Sequence, residues 1–173
     1  MTATVEPTKV TEPFARLSDA SRALAREYLD NARSVLRQSV FNPDFLAGIP
    51  LERKPGAYTR NLVYGDEQMS IWAIVWSPGS TTSIHDHHCS CCFGIVSGSL
   101  TERRFSAVSR THAVATQKVL RGPGFIACFL PSGPNIHQMS NDSSDEAISL
   151  HIYGFDHRLH GSSVDREYQL ALS

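Results

Sequence analysis

Tyr58-Thr59-Arg60-Asn61-Leu62-Val63-Tyr64, then Gly65-Asp66-Glu67, then Met69-Ser70-Ile71-Trp72-Ala73-Ile74-Val75-Trp76 read as strand, turn and strand. The first segment alternates, and β-branched and aromatic residues dominate the second. Ser77-Pro78-Gly79-Ser80 turns the chain again. Working outward, further strands are expected at 91–97, 99–106, 113–120, 125–130, 135–140 and 146–153. Gly98, Gly122-Pro123-Gly124 and Ser132-Gly133-Pro134 punctuate them. Short strands at regular spacing predict an antiparallel barrel or jelly roll, so the chain reads as mainly β. Upstream the period changes. Phe14, Leu17, Leu24, Tyr28, Val35 and Leu36 recur near helical spacing within 13–40. Ser18 or Asp19 is a plausible cap inside this stretch, which predicts N-terminal α-helices with their apolar stripe packed on the sheet. Residues 1–12 are polar, and no element is expected in 154–173.

The chain has 173 residues, which suits a single domain with a real core over 1–173, its β-barrel part at 58–153. Hydrophobic residues make up 41% and charged residues 19%, ordinary for a globular protein. A net charge of -1 gives no sign of nucleic acid or of an acidic membrane surface as partner. No apolar run is long enough for a transmembrane helix, and the start Met1-Thr2-Ala3-Thr4-Val5-Glu6-Pro7 does not look like a signal peptide. A cytoplasmic location is the expectation. Three of the four cysteines, Cys89, Cys91 and Cys92, crowd together, with Cys128 apart. That is not the spacing of a disulfide framework, and no second Cys pair exists to build a structural zinc site.

The chemistry concentrates around His85-Asp86-His87. On a strand, residues at i and i+2 share a face, so both imidazoles point the same way. His137 follows about fifty residues later, inside Pro131-Ser132-Gly133-Pro134-Asn135-Ile136-His137. Three neutral imidazoles converging from two strands make a metal site with open positions, as a catalytic metal needs. Further on, Ser149, His151 and Tyr153 alternate on one strand face. A hydroxyl, an imidazole and a phenol in a row can form a hydrogen-bonded relay ending at a proton donor. His88, His112, His157 and His160 read as surface groups, and Trp76 as core or rim.

The spacing of Gly79, His85, His87, Cys91 and Gly98 resembles the first cupin motif, with Cys91 at the position normally held by a glutamate. Gly124, Pro131-Ser132-Gly133, His137 and Asn141 resemble the second, with one extra residue before the histidine. Loss of the carboxylate leaves three neutral ligands and a further open position, where a substrate thiolate can supply the negative charge. Taken with Tyr58-Thr59-Arg60-Asn61-Leu62-Val63, Ile84-His85-Asp86-His87 and Ser149-x-His151-x-Tyr153, the chain resembles the cysteine dioxygenase family of cupin-type thiol dioxygenases.

The resemblance implies a small cupin β-barrel and oxidation of a thiol to a sulfinate with both atoms of O2. It implies Fe(II) held by His85, His87 and His137, and L-cysteine bound through thiolate and amine. Arg60 would clamp the substrate carboxylate in a fork geometry, with Tyr58 beside it. Tyr153, with His151 and Ser149 behind it, would be catalytic. Some members carry a thioether between a cysteine and the relay tyrosine. Counting back from Gly98 gives Cys91 as that cysteine, and counting forward from His85 gives Cys92.

Arg60 points to the cysteine-specific branch, whereas Tyr153-Gly154-Phe155 and the thirteen-residue step from His85 to Gly98 point to relatives acting on 3-mercaptopropionate. Arg158 is a second candidate for a carboxylate contact. L-cysteine is the expected substrate, with 3-mercaptopropionate or mercaptosuccinate as alternatives. Other classes to be separated are a zinc, nickel or manganese cupin and a non-catalytic metal-binding module.

Overall fold

The computed structural model describes residues 11–42, 44–131 and 135–171, so the expected turn at Ser132-Gly133-Pro134 and the polar residues 1–10 lie outside the described residues. Among the described residues, ten strands and one short helix follow a long helix. The helix is α1 (Glu12–Val40), and the first strands are β1 (Tyr58–Gly65), β2 (Ser70–Trp76), β3 (Ile84–His87), β4 (Cys91–Ser97) and β5 (Leu100–Ala107). Then come β6 (His112–Arg121), β7 (Ile126–Phe129), β8 (His137–Ser140), β9 (Ala147–Tyr153), the short α2 (His157–His160) and β10 (Val164–Leu170). One sheet has the order β1-β2-β9-β4-β7, and β10-β3-β8-β5-β6 closes on itself. Closure comes from β10, which runs antiparallel to β3 and parallel to β6.

The core lies between the two sheets. Ile74, Trp76, Phe93 and Ile95 from the first meet Leu100 and Met139 from the second. On the outer face of the first sheet, Ala32 and Leu36 of α1 pack on Ala73, Cys92, Leu150 and Ile152. This sheet is therefore covered on both faces, which is why the segment 71–76 is apolar throughout rather than alternating. Gly94 lies under the end of the helix: a Cβ there would stand 2.7 Å from Val40 Cγ1, so Val40 would have to shift. Gly98 takes φ +67 in the tight link from β4 to β5.

Two expectations for the N-terminal region need correction. There is one helix, not two. Ser18 accepts a hydrogen bond from Arg22 at 3.0 Å, and Asp19 pairs with the same arginine, so both side chains serve the helix surface and neither caps a new segment. Nor does the whole stripe pack on the sheet. Phe14, Leu17 and Leu24 are each 68% exposed, and only the second half of α1 is seated. Its buried residues are Ala32, Leu36, Ser39 and Val40, which share one helical face.

The C-terminal region is the other difference. Asp156 caps α2 by accepting from Arg158 N–H at 2.9 Å. β10 is then pinned to the His-Asp-His strand, since Asp86 accepts from Arg166 N–H at 2.8 Å and from the Tyr168 hydroxyl at 2.7 Å. Its charged composition hides it from a hydrophobic pattern, and its partner strands supply the reason it forms. No helix among the described residues is long and apolar enough to cross a membrane.

Candidate metal centre

β3 and β8 bring the histidines together. His85 stands directly opposite His137 in the ladder, and His87 follows His85 on the same face. The three rings are buried, and one nitrogen from each lies within 4.8 Å of the others. Among the described residues, no carboxylate joins this group. His85 donates Nδ1–H to the Ser83 carbonyl at 2.9 Å, which leaves Nε2 with a free lone pair. His87 Nε2 and His137 Nε2 face each other at 3.2 Å. Two imidazole nitrogens bound to one ion at about 2.1 Å each, near a right angle, stand about 3 Å apart. Nδ1 of His87 faces the Ser163 carbonyl without a bond of good geometry, and Nδ1 of His137 is unpartnered too. Clustered, buried, partly orphaned nitrogens fit a metal ion that would use the inward-facing lone pairs.

Burial and mutual repulsion keep His85 and His87 neutral, the form that ligates. Desolvation, then the neighbouring His137, lowers His85 from its ordinary 6.5 to about 4, and the same causes take His87 to about 2. Desolvation likewise lowers His151 to about 3 and His157 to about 4. The unfolded chain thus binds more protons than the folded one between these values and 6.5, so stability rises with pH in that window. The metal-free protein is expected to lose urea stability on acidification from pH 7 toward pH ~5, as its histidines protonate on unfolding. An equal urea midpoint at the two pH values would contradict this.

The relay is present and is longer than its sequence signature. The Trp76 indole donates Nε1–H to Ser149 Oγ at 2.8 Å. Ser149 Oγ is 2.8 Å from His151 Nε2, and His151 Nδ1 is 3.4 Å from the Tyr153 hydroxyl. An indole only donates, so Ser149 Oγ accepts at that end and keeps its own proton for a further partner. In the tautomer where Ser149 gives that proton to His151 Nε2, the neutral ring carries its proton on Nδ1 and offers it to the Tyr153 oxygen, which leaves the phenolic proton to be donated onward. Burial, with the Cys91 thiol near by, holds the Tyr153 phenol well above its ordinary range, so it stays protonated. Trp76 was read as core or rim. It is core, 1% exposed, and it also anchors this chain.

A cavity of about 300 Å³ opens over the histidines, lined by Tyr58, Arg60, Trp76, Cys91 and His151 among others. Tyr153 is not in its lining; its ring packs beside His87, with centroids 6.1 Å apart. Arg60 is exposed, with its guanidinium carbon 5.8 Å from the centroid of the Tyr58 ring, and it forms no ion pair with a carboxylate among the described residues. Tyr58 in turn stacks near Trp76, with centroids 5.0 Å apart. Arg158 is spoken for: its Nε lies 2.9 Å and 3.0 Å from the two oxygens of Asp156, and it does not line the cavity.

The cysteines sort by strand parity. Cys91 pairs with Tyr153 across β4 and β9 and clusters with it and Cys89. Cys92 points to the other face, under α1, opposite Cys128. The register therefore sets Cys91, and not Cys92, beside the relay tyrosine. All four thiols are free. His157, read as a surface group, is instead 6% exposed, and its ring lies 4.4 Å from that of Tyr153. Glu102 also escaped the sequence reading. Its carboxylate is fully buried, paired with Arg121 and Arg104, and 3.9 Å from His137 Nδ1. Burial alone would raise its pKa, but His137 and the two arginines bring it down to about 2. One signal was available: Leu100, Glu102 and Arg104 alternate on a single strand face, so charged groups share the face of a core leucine.

The family model for cysteine dioxygenase type I matches residues 52–157. The chain belongs to this family. The human cysteine dioxygenase type 1 is 33% identical over 102 residues, covering 56% of this chain and 50% of that protein. The zebrafish (Danio rerio) protein of the same description is 32% identical over 103 residues, with the same coverage. The chain spans about half the length of the curated relatives it matches. A conserved protein with a double-stranded β-helix domain from Klebsiella pneumoniae is similar at a TM-score of 0.49 and 16% identity, covering 61% of this chain and 79% of that one. At that score the likeness carries no weight, and the cupin assignment rests on the family match and the strand order. The family match takes in the triad, Arg60 and the relay, and ends before β10, which supplies Val164, Asp165 and Glu167 to the cavity wall.

Proposed function

We propose that the protein is a non-haem Fe(II) thiol dioxygenase that oxidises L-cysteine to cysteine sulfinate. The observation that carries this is a histidine triad, joined by no carboxylate among the described residues, in one cavity with an arginine that forms no ion pair among them and a hydrogen-bonded row ending at Tyr153. The reaction balances without a further reductant: sulfur gives up four electrons, O2 takes four, and both oxygens end on sulfur. His85, His87 and His137 would hold the metal. Bound iron(II) would supply the redox centre at which thiolate and O2 meet.

The chain's own groups do the rest. Arg60 recognises the substrate carboxylate, and the Tyr58 ring beneath it limits where the guanidinium can go. Trp76, Ser149 and His151 keep the Tyr153 proton directed away from the relay and toward the reacting groups. Asp165 and Glu167 at the cavity wall disfavour a second carboxylate on the substrate, which speaks for cysteine over mercaptosuccinate. The free, buried thiols Cys89 and Cys91 beside the site suit a reducing, cytoplasmic setting.

Replacing Arg60 with glutamine is expected to raise KM for L-cysteine by about 10- to 100-fold, the worth of a hydrogen bond to a charged group, with a smaller change in kcat. An unchanged KM in steady-state oxygen uptake would remove Arg60 from the site. A second reading, dioxygenation of 3-mercaptopropionate, is favoured by two features, Tyr153-Gly154-Phe155 and the thirteen-residue step from His85 to Gly98. Higher kcat/KM for 3-mercaptopropionate than for cysteine would establish it. Full function with zinc and no oxygen requirement would instead indicate a non-oxygenase cupin.

A further inference from the structure

We infer that Glu102 is a positioning residue for the metal centre: it receives the Nδ1 proton of His137 and so turns the Nε2 lone pair toward the ion. The inference rests on the triad being a metal site and goes beyond the ligands themselves.

Glu102 lies on β5, whose ladder with β8 sets Glu102 opposite Met139 and Arg104 opposite His137. Glu102 and His137 are thus diagonal neighbours on one face of the closed sheet. A carboxylate buried this completely persists only when its lone pairs are used. Arg121 takes Oε2, through Nε at 2.8 Å and Nη2 at 2.7 Å. Arg104 Nε takes one lone pair of Oε1 at 3.1 Å. Each arginine is braced over an aromatic ring, Arg121 at 4.1 Å from the Phe125 centroid and Arg104 at 5.5 Å from that of Phe129. The clamp leaves Oε1 with capacity to spare, and it sits 3.9 Å from His137 Nδ1.

That nitrogen is itself buried and has no hydrogen-bond partner. A neutral imidazole carries one proton. On Nε2 it would point at His87 Nε2, 3.2 Å away, and block the site. On Nδ1 it points to the braced carboxylate, and a ring movement of about 1 Å closes a normal hydrogen bond. His85 already has the equivalent arrangement, with Ser83 O as its acceptor. Metal-bound histidines commonly give their second N–H to a carboxylate or carbonyl, which fixes tautomer and ring angle. Glu102 would do for His137 what the backbone does for His85. A clamp serving only the fold would have no reason to direct its free oxygen at a ligand.

The test has two readouts, neither of them turnover. The first is the ¹⁵N spectrum of histidine-labelled wild-type protein loaded with zinc(II), in which His137 should show a proton on Nδ1. The second is anaerobic iron(II) affinity by chelator competition for wild type, Glu102→Gln and Glu102→Asp. The aspartate keeps the charge facing the arginines and withdraws it from His137, so it separates orientation from folding. Both variants are expected to bind iron(II) about 10- to 100-fold more weakly. Folded variants with wild-type affinity, or a wild-type His137 without an Nδ1 proton, would overturn the inference, and the spectrum can overturn it even if neither variant folds. A wild type that binds neither metal would overturn the metal-centre reading first.

Discussion

Replacing His87 with alanine is expected to abolish oxygen consumption and to strip the protein of iron. His87 contributes one of the three inward-facing nitrogens, and the described residues around it include no carboxylate or thiolate in the ligand group to take its place. Two neutral imidazoles do not hold a divalent ion against solvent, so affinity should fall by more than the roughly 100-fold that loss of a supporting hydrogen bond costs. The fold should survive. His87 Nδ1 has no well-formed bond to lose, and the ring lies at the cavity rather than in the main core cluster. Metal analysis and thermal unfolding on the same sample check both halves. Retention of one iron per chain with activity would contradict the ligand assignment.

Tyr153→Phe is expected to lower kcat by about 10²- to 10⁴-fold, the range for removing a positioned proton donor. Iron content should stay at the wild-type level. The substitution keeps the ring, hence its contacts with His87, Phe155 and His157. It deletes only the hydroxyl 3.4 Å from His151 Nδ1. The effect therefore belongs on kcat rather than on KM, which Arg60 governs. Stopped oxygen uptake with unchanged iron supports the relay, and an unchanged kcat would show that the chain from Trp76 ends in a structural hydrogen bond.

Much of the site was legible because its chemistry follows strand parity. His85 and His87 at i and i+2, and Ser149, His151 and Tyr153 in alternation, fall on single faces as the period requires. Parity also decides between Cys91 and Cys92 once the β4–β9 register is known, and register is what a lone sequence does not carry. Groups acting across strands were hidden for the same reason. Glu102 meets His137 only through the β5–β8 ladder, and Trp76 meets Ser149 from β2, so neither pairing has a sequence spacing to read. β10 lacks an apolar period and forms because β3 and β6 offer it two edges. α1 misled in the opposite way. Its apolar residues keep helical spacing along its whole length, but the sheet is only wide enough to bury the last turns.

The most direct measurement is oxygen uptake by the iron(II)-loaded protein with L-cysteine, run beside 3-mercaptopropionate and mercaptosuccinate, with labelled O2 and mass analysis of the product. Cysteine sulfinate carrying both labelled oxygens, formed at the highest kcat/KM of the three, is the predicted result. Iron bound at the histidine triad with no oxygen consumed on any of these thiols would contradict it.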